Sequence, residues 1–118
     1  MVESYQDLEV YRKAYRVSLS IHRMSLTLPK FEQMEIGSQI RRASKSVALN
    51  IAEGYGRNLS LSDFKRFLKI SLGSCNEVLA CLEYCRDLNY ITTCDYSKYE
   101  LSFTEIRKML ISMIKNWK

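Results

Sequence analysis

Apolar positions recur along this chain in four runs that share one rhythm. Val10, Ala14, Val17, Ile21, Met24 and Leu28 alternate in steps of four and three, as do Ile36, Ile40, Ala43, Val47, Asn50 and Gly54. Phe64, Leu68, Ser71, Cys75, Val78, Leu82 and Cys85 form the third run, and Tyr99, Phe103, Ile106, Leu110, Met113 and Trp117 the fourth. Such steps average about 3.5 residues, close to the helical period, so each run draws one side of a helix. The predicted helices cover roughly residues 7–28, 32–55, 61–88 and 95–117.

The punctuation between the runs agrees with this reading. Pro29 disfavours helical backbone at Leu28 and is expected to end the first helix there. Gly54 and Gly56 are expected to end the second, since glycine takes positive φ without a steric cost. A polar loop over Gly56–Ser60 follows, with Ser60 as N-cap and Asp63 in an acidic first turn. After a turn over residues 89–93, Asp95 is the expected cap of the fourth helix. Short connections make sequential helices antiparallel neighbours, so the expected fold is all-α, an antiparallel up-down-up-down four-helix bundle.

Composition adds limits. A chain of 118 residues reads as one domain that buries a core without metal or disulfide help. No run approaches the roughly 18 uncharged apolar residues of a membrane span. The start, Met-Val-Glu-Ser-Tyr-Gln-Asp, has neither a basic opening nor an apolar run, so no secretory signal is read and a cytoplasmic protein is expected. Cys75, Cys81, Cys85 and Cys94 form no Cys-x-x-Cys and stand far from His22, the single histidine, so no metal or other cofactor is implied. Cys75 and Cys85 fall on the third seam, where thiols act as small hydrophobes. Cys81 and Cys85, one turn apart, leave a redox pair as the alternative.

Charge changes the picture by its placement. The net charge is +5, yet residues 1–40 hold five basic and five acidic side chains and residues 70–118 hold six of each. The whole excess lies in between, where Arg41, Arg42, Lys45, Arg57, Lys65, Arg66 and Lys69 face only Glu53 and Asp63. Clustered cations attract polyanions and contact phosphates without choosing sequence. The plainer reading is a solvated helix face, or partners for Glu53 and Glu77. Arg41 lies nearer the seam than Arg42 and is the more structural of the two.

Within the second helix, Leu49 falls on the outward face beside Ala48 and Ala52. That is a surface another helix can approach closely, and it marks a subunit contact. Asn50 takes a core position, where a buried amide must find partners; bonding across the bundle, with Ser71 one candidate, would set helix register. Glu53 and Gly54 complete the structural polar set. His22 has no paired carboxylate or nucleophile, so it reads as a packed or surface residue. Tyr55, near Arg57, is a candidate base-stacking ring, with packing the commoner role. No phosphate loop, paired carboxylates or Ser/His/Asp pattern is present, so no catalytic residue is assigned and a non-enzymatic protein is expected.

The runs Gln39-Ile-Arg-Arg-Ala43, Ser46-Val47, Asn50-Ile-Ala-Glu-Gly54 and Arg57 resemble the 23S rRNA intervening-sequence protein family of small bacterial four-helix bundles. The resemblance continues through Asp63-Phe64, Phe67-Leu68, Gly73-Ser74 and Glu77, and extends to Leu8, Val10, Ala14 and Leu28-Pro29. Ala48 stands where many members have Pro, Ser71 where Ala is common and Cys75 where Leu is usual, all changes on the scale of packing. The resemblance implies a closed bundle that assembles as a homopentameric ring. It also reaches accessory proteins of diversity-generating retroelements, which are basic pentameric bundles that bind nucleic acid and a reverse transcriptase.

Together these readings describe a cytoplasmic, oligomeric, non-enzymatic bundle that binds RNA or DNA through residues 41–69. The alternative is a protein-interaction scaffold whose basic surface meets an acidic or polymerase-like partner.

Overall fold

The computed structural model of the chain describes residues 2–57 and 60–118. A single 3-10 turn, Tyr5–Asp7, leads into α1 (Glu9–Ser25). A one-turn helix, α2 (Lys30–Gln33), precedes α3 (Ile36–Gly56), and α4 (Leu61–Asp87) and α5 (Thr93–Asn116) follow. The fold is all-α, with four long helices and no strand among the described residues. α3 packs between α1 and α4, while α5 lies along α4 and touches α1 more sparsely. The molecule measures 44 × 23 × 21 Å. At 1.5 Å per residue, α4 alone runs about 40 Å and spans its length.

The seams meet as the spacing requires. Ile21, Ile40, Ile51, Phe64, Leu68, Leu82, Phe103, Ile106 and Leu110 are fully buried, drawn from all four long helices. Each such side chain contributes roughly 1.5–3 kcal/mol relative to exposure. The Phe64 ring meets Trp117 edge-on at 5.2 Å and Tyr55 at 6.1 Å, so aromatic packing closes one end of the bundle.

Helix ends depart from the sequence expectations in instructive ways. α1 stops at Ser25 rather than Leu28, because the amides of Leu26, Thr27 and Leu28 bond three residues back and tighten the last turn before Pro29. The expected second helix is split. Gln33 Nε2 donates to the carbonyls of Leu26 and Leu28, both at 2.9 Å. Arg41 donates from Nη2 to the Gln33 carbonyl at 2.8 Å and from Nη1 to Ser25 Oγ at 2.9 Å. Three of these bonds satisfy carbonyls at and just beyond the ends of α1 and α2, and the fourth ties Arg41 to the Ser25 hydroxyl.

No glycine takes positive φ, so Gly54 and Gly56 do not end α3 in the expected way. The helix passes through both and stops at Arg57, with φ −106°. The expected polar loop over Gly56–Ser60 includes Asn58 and Leu59, which lie outside the described residues. Among the described residues the left-handed one is Asn89, with φ 63°. Around it Tyr90 N–H donates to the Cys85 carbonyl at 2.8 Å and Asn89 N–H to Arg86 at 3.0 Å, a Schellman ending for α4. Ser60 Oγ accepts from Asp63 N–H at 3.3 Å and caps α4. Thr92, not Asp95, caps α5: its Oγ1 accepts from Asp95 N–H at 3.0 Å. The acidic residue sits one turn inside, where it still faces the positive helix end.

Candidate nucleic-acid interface

The surface made by residues 41–69 rests on the junction of α3 and α4, which small and polar residues hold close. Ser46 and Ser74 share a hydrogen bond at 2.8 Å, and Gln39 Nε2 donates to Glu77 Oε2 at 3.4 Å. Ser71 Oγ, buried, donates to the Val47 carbonyl at 2.8 Å. Gly54 packs directly on α4: a Cβ there would stand 2.7 Å from Phe67 Cβ. The Asn-Ile-Ala-Glu-Gly run therefore ends in a packing glycine, not a turn glycine.

Asn50 corrects the expectation of a core amide. It is half-buried, and its Nδ2 donates to the Ser46 carbonyl and to Ser46 Oγ, both at 2.9 Å. The bond across to α4 passes through Ser46, and Ser71 has a partner of its own. The buried side of α3 extends to Ser44 and Ala48, both buried, and α3 packs against α1 as well as α4.

The seven cations do not share one environment. Arg41 is half-buried with its guanidinium committed to Ser25 and Gln33, so it closes the α1–α2–α3 corner instead of meeting a ligand. Arg42, Lys45, Arg57, Arg66 and Lys69 are exposed, and Lys65 is half-buried. At about 100° per residue, Lys45 leans round α3 toward α1, Arg42 stands outward, and Lys65 and Lys69 lean toward α5. The charges form a fan over α3 and α4 instead of a tight cluster. Its densest point is the Phe67 ring, which carries the Arg66 guanidinium at 4.5 Å and that of Arg57 at 5.4 Å. Both distances suit cation–π contact. Arg66 is also held 3.5 Å from Asp63.

Of the residues expected at a subunit contact, Leu49 is 63% exposed, Ala52 is half-buried, and Ala48 is only 4% exposed. Ala48 is thus a core residue of its own chain and is unavailable to a neighbour. Glu53 is exposed, with no cation in salt-bridge range among the described residues. Three thiols are buried, and burial pushes Cys75 up to about 12 and Cys81 and Cys85 up to about 11; Cys94 is exposed. Thiols held protonated in this way are inert packing groups at neutral pH. No group of three or more potential metal ligands occurs among the described residues. No helix there is long and apolar enough to cross a membrane.

Sequence windows missed a second set of cations. Lys13 and Arg16 on α1 and Lys98 on α5 line one cleft, although Lys98 stands more than 80 positions from either of the other two in sequence. Charge counted in contiguous windows scores both segments as neutral, so only docking of the first helix on the last brings this group together.

Comparison with known proteins places this geometry. No curated protein matches the chain. Among solved structures, one from Bacteroides thetaiotaomicron, described as a protein with unknown function from the S23 ribosomal protein family, superposes with a TM-score of 0.83 at 31% identity. The match covers 91% of this chain and 99% of that one. The family model for the 23S rRNA-intervening sequence protein matches residues 6–112. The chain belongs to the 23S rRNA-intervening sequence protein family.

Proposed function

We propose that this protein is a non-enzymatic, cytoplasmic nucleic-acid-binding bundle that engages RNA through the outer faces of α3 and α4. The observation that carries the reading is the state of the cations. Arg42, Lys45, Arg57 and Lys69 are exposed, and Arg66 alone among the seven has a carboxylate within 4 Å among the described residues. A fan of unpaired cations over two helices suits a broad polyanion better than a compact anion. The rRNA in the family's name agrees with that partner.

In this proposal the helices run up-down-up-down. Contacts from Tyr55 to Phe64 and from Phe64 to Trp117 at one end, and the Tyr90–Glu32 bond of 2.7 Å at the other, favour that course. Copies assemble as a homopentameric ring, with Leu49 and Ala52 in the contact, so that weak phosphate contacts repeat and gain avidity. The direct test is Arg42→Glu, Lys45→Glu, Arg66→Glu and Lys69→Glu in one chain. Binding to structured RNA at low salt is expected to disappear while helicity stays unchanged; retained binding would remove the fan as the site.

A scaffold for a protein partner is the second reading; the feature that favours it lies off the basic surface, where Met34 is 80% and Phe31 67% exposed beside Glu32 and Glu35. A partner that stays bound after nuclease treatment would select it.

A further inference from the structure

We infer that the cleft between α1 and α5 is a second nucleic-acid site, shaped for a single-stranded segment. The inference rests on the nucleic-acid reading above but uses a different surface. α1 and α5 touch sparsely, and a cleft of about 440 Å³ opens between them. Past Ser20, Asp95 and Tyr99, which line both, it continues into a second cleft of about 790 Å³.

The lining carries a track of charge. Lys13, Arg16 and Arg23 follow one face of α1, with the ends of that row about 15 Å apart at 1.5 Å per residue. Lys98 faces them from α5, and Arg86 stands at the far end. Five cations meet two carboxylates, Asp95 and Glu105, along this lining. Lys13 holds Glu105 at 3.4 Å, and Arg86 is engaged by Asp87 at 2.8 Å. Arg16, Arg23 and Lys98 have no carboxylate within 4 Å among the described residues.

Between the two rows lie Val17, Ile106 and the half-buried ring of Tyr99. A positive groove with an aromatic ring in its floor is how proteins hold single strands, with phosphates on the cations and an unstacked base on the ring. A duplex keeps its bases paired and stacked and so offers none to the ring, whereas a single strand can splay one out. An acidic peptide would satisfy the charge but would leave the aromatic floor unused.

The test is fluorescence anisotropy of a labelled oligouridine of about twelve nucleotides, with an RNA hairpin measured in parallel. Arg16→Glu with Lys98→Glu, both at exposed positions, is expected to weaken oligouridine binding at least about tenfold. Hairpin binding on the α3–α4 face should stay within about twofold, as expected of an independent surface. Tyr99→Leu, which keeps apolar bulk, should also weaken the oligouridine alone, and circular dichroism checks that each variant folds. Unchanged oligouridine affinity in the Arg16→Glu, Lys98→Glu variant overturns the inference. So does displacement by oligoglutamate as effective as by unlabelled oligouridine. A wild-type protein that binds the hairpin but no oligouridine sinks the cleft and leaves the proposed function standing; one that binds neither sinks both.

Discussion

Gly54 and Phe67 set how closely α3 and α4 approach, since a Cβ on the glycine would lie 2.7 Å from Phe67 Cβ and 3.2 Å from Phe64 Cδ1. Contact at 2.7 Å forces a helix shift, so overpacking of about 1–3 kcal/mol outweighs the helix-propensity gain of about 1 kcal/mol. Gly54→Ala is expected to lower unfolding free energy in urea by a net of up to ~2 kcal/mol. Gly73, with nothing within 4 Å of its would-be Cβ, gives the opposite sign: Gly73→Ala should raise stability by about 0.5–1 kcal/mol. Equal effects at the two sites would contradict the packing described here.

Neighbouring arginines should separate stability from binding. Arg41 makes two hydrogen bonds to Ser25 and Gln33, so Arg41→Ala should cost about 2–3 kcal/mol. Arg42 is exposed, and Arg42→Ala should change stability by less than about 0.5 kcal/mol. Its effect should appear instead in RNA affinity, lowering the slope of log K against log salt by roughly 0.7–0.9. Urea melts and a salt titration on both variants distinguish these roles.

The thiols predict an alkaline limit. Cys75, Cys81 and Cys85 rise from an ordinary 9.0 to about 12, 11 and 11 through burial. Between those limits the unfolded chain holds fewer protons than the folded one, so unfolding free energy falls as pH rises. The protection is fully present below about pH 9 and is lost as pH climbs through 11–12. Tyr90, raised to about 12 chiefly by its hydrogen bond to Glu32, acts in the same direction. Urea midpoints should therefore drop between pH 8 and about pH 11. At neutral pH a thiol reagent should label Cys94 at once and the other three only on unfolding.

Leu49 tests assembly. With 63% of its surface exposed on the outer face of α3, Leu49→Asp should leave the monomer fold intact, within about 0.5 kcal/mol, and reduce the mass of the assembly by light scattering. An unchanged mass would remove Leu49 from the proposed subunit contact.

Steps of four and three residues were enough to define four amphipathic helices and most of their core, because burial of one stripe is a property each helix carries in its own sequence. The Ser60 cap was legible for the same reason, since its partner Asp63 lies three residues away. Even the outward position of Arg42 and Leu49 followed from register alone. What depended on neighbours was hidden. Ala48 is buried on an α3 that packs against both α1 and α4, and Asn50 is only half-buried, its amide turned to Ser46. Arg41 is withdrawn from the surface by Ser25 and Gln33, and Gly54 is required by Phe67 across the junction. The cations of the α1–α5 cleft stand in segments that are each neutral overall. Sequence periodicity states which side of a helix is apolar, but which helix covers it, and which distant charges share a cleft, is decided only when the helices dock.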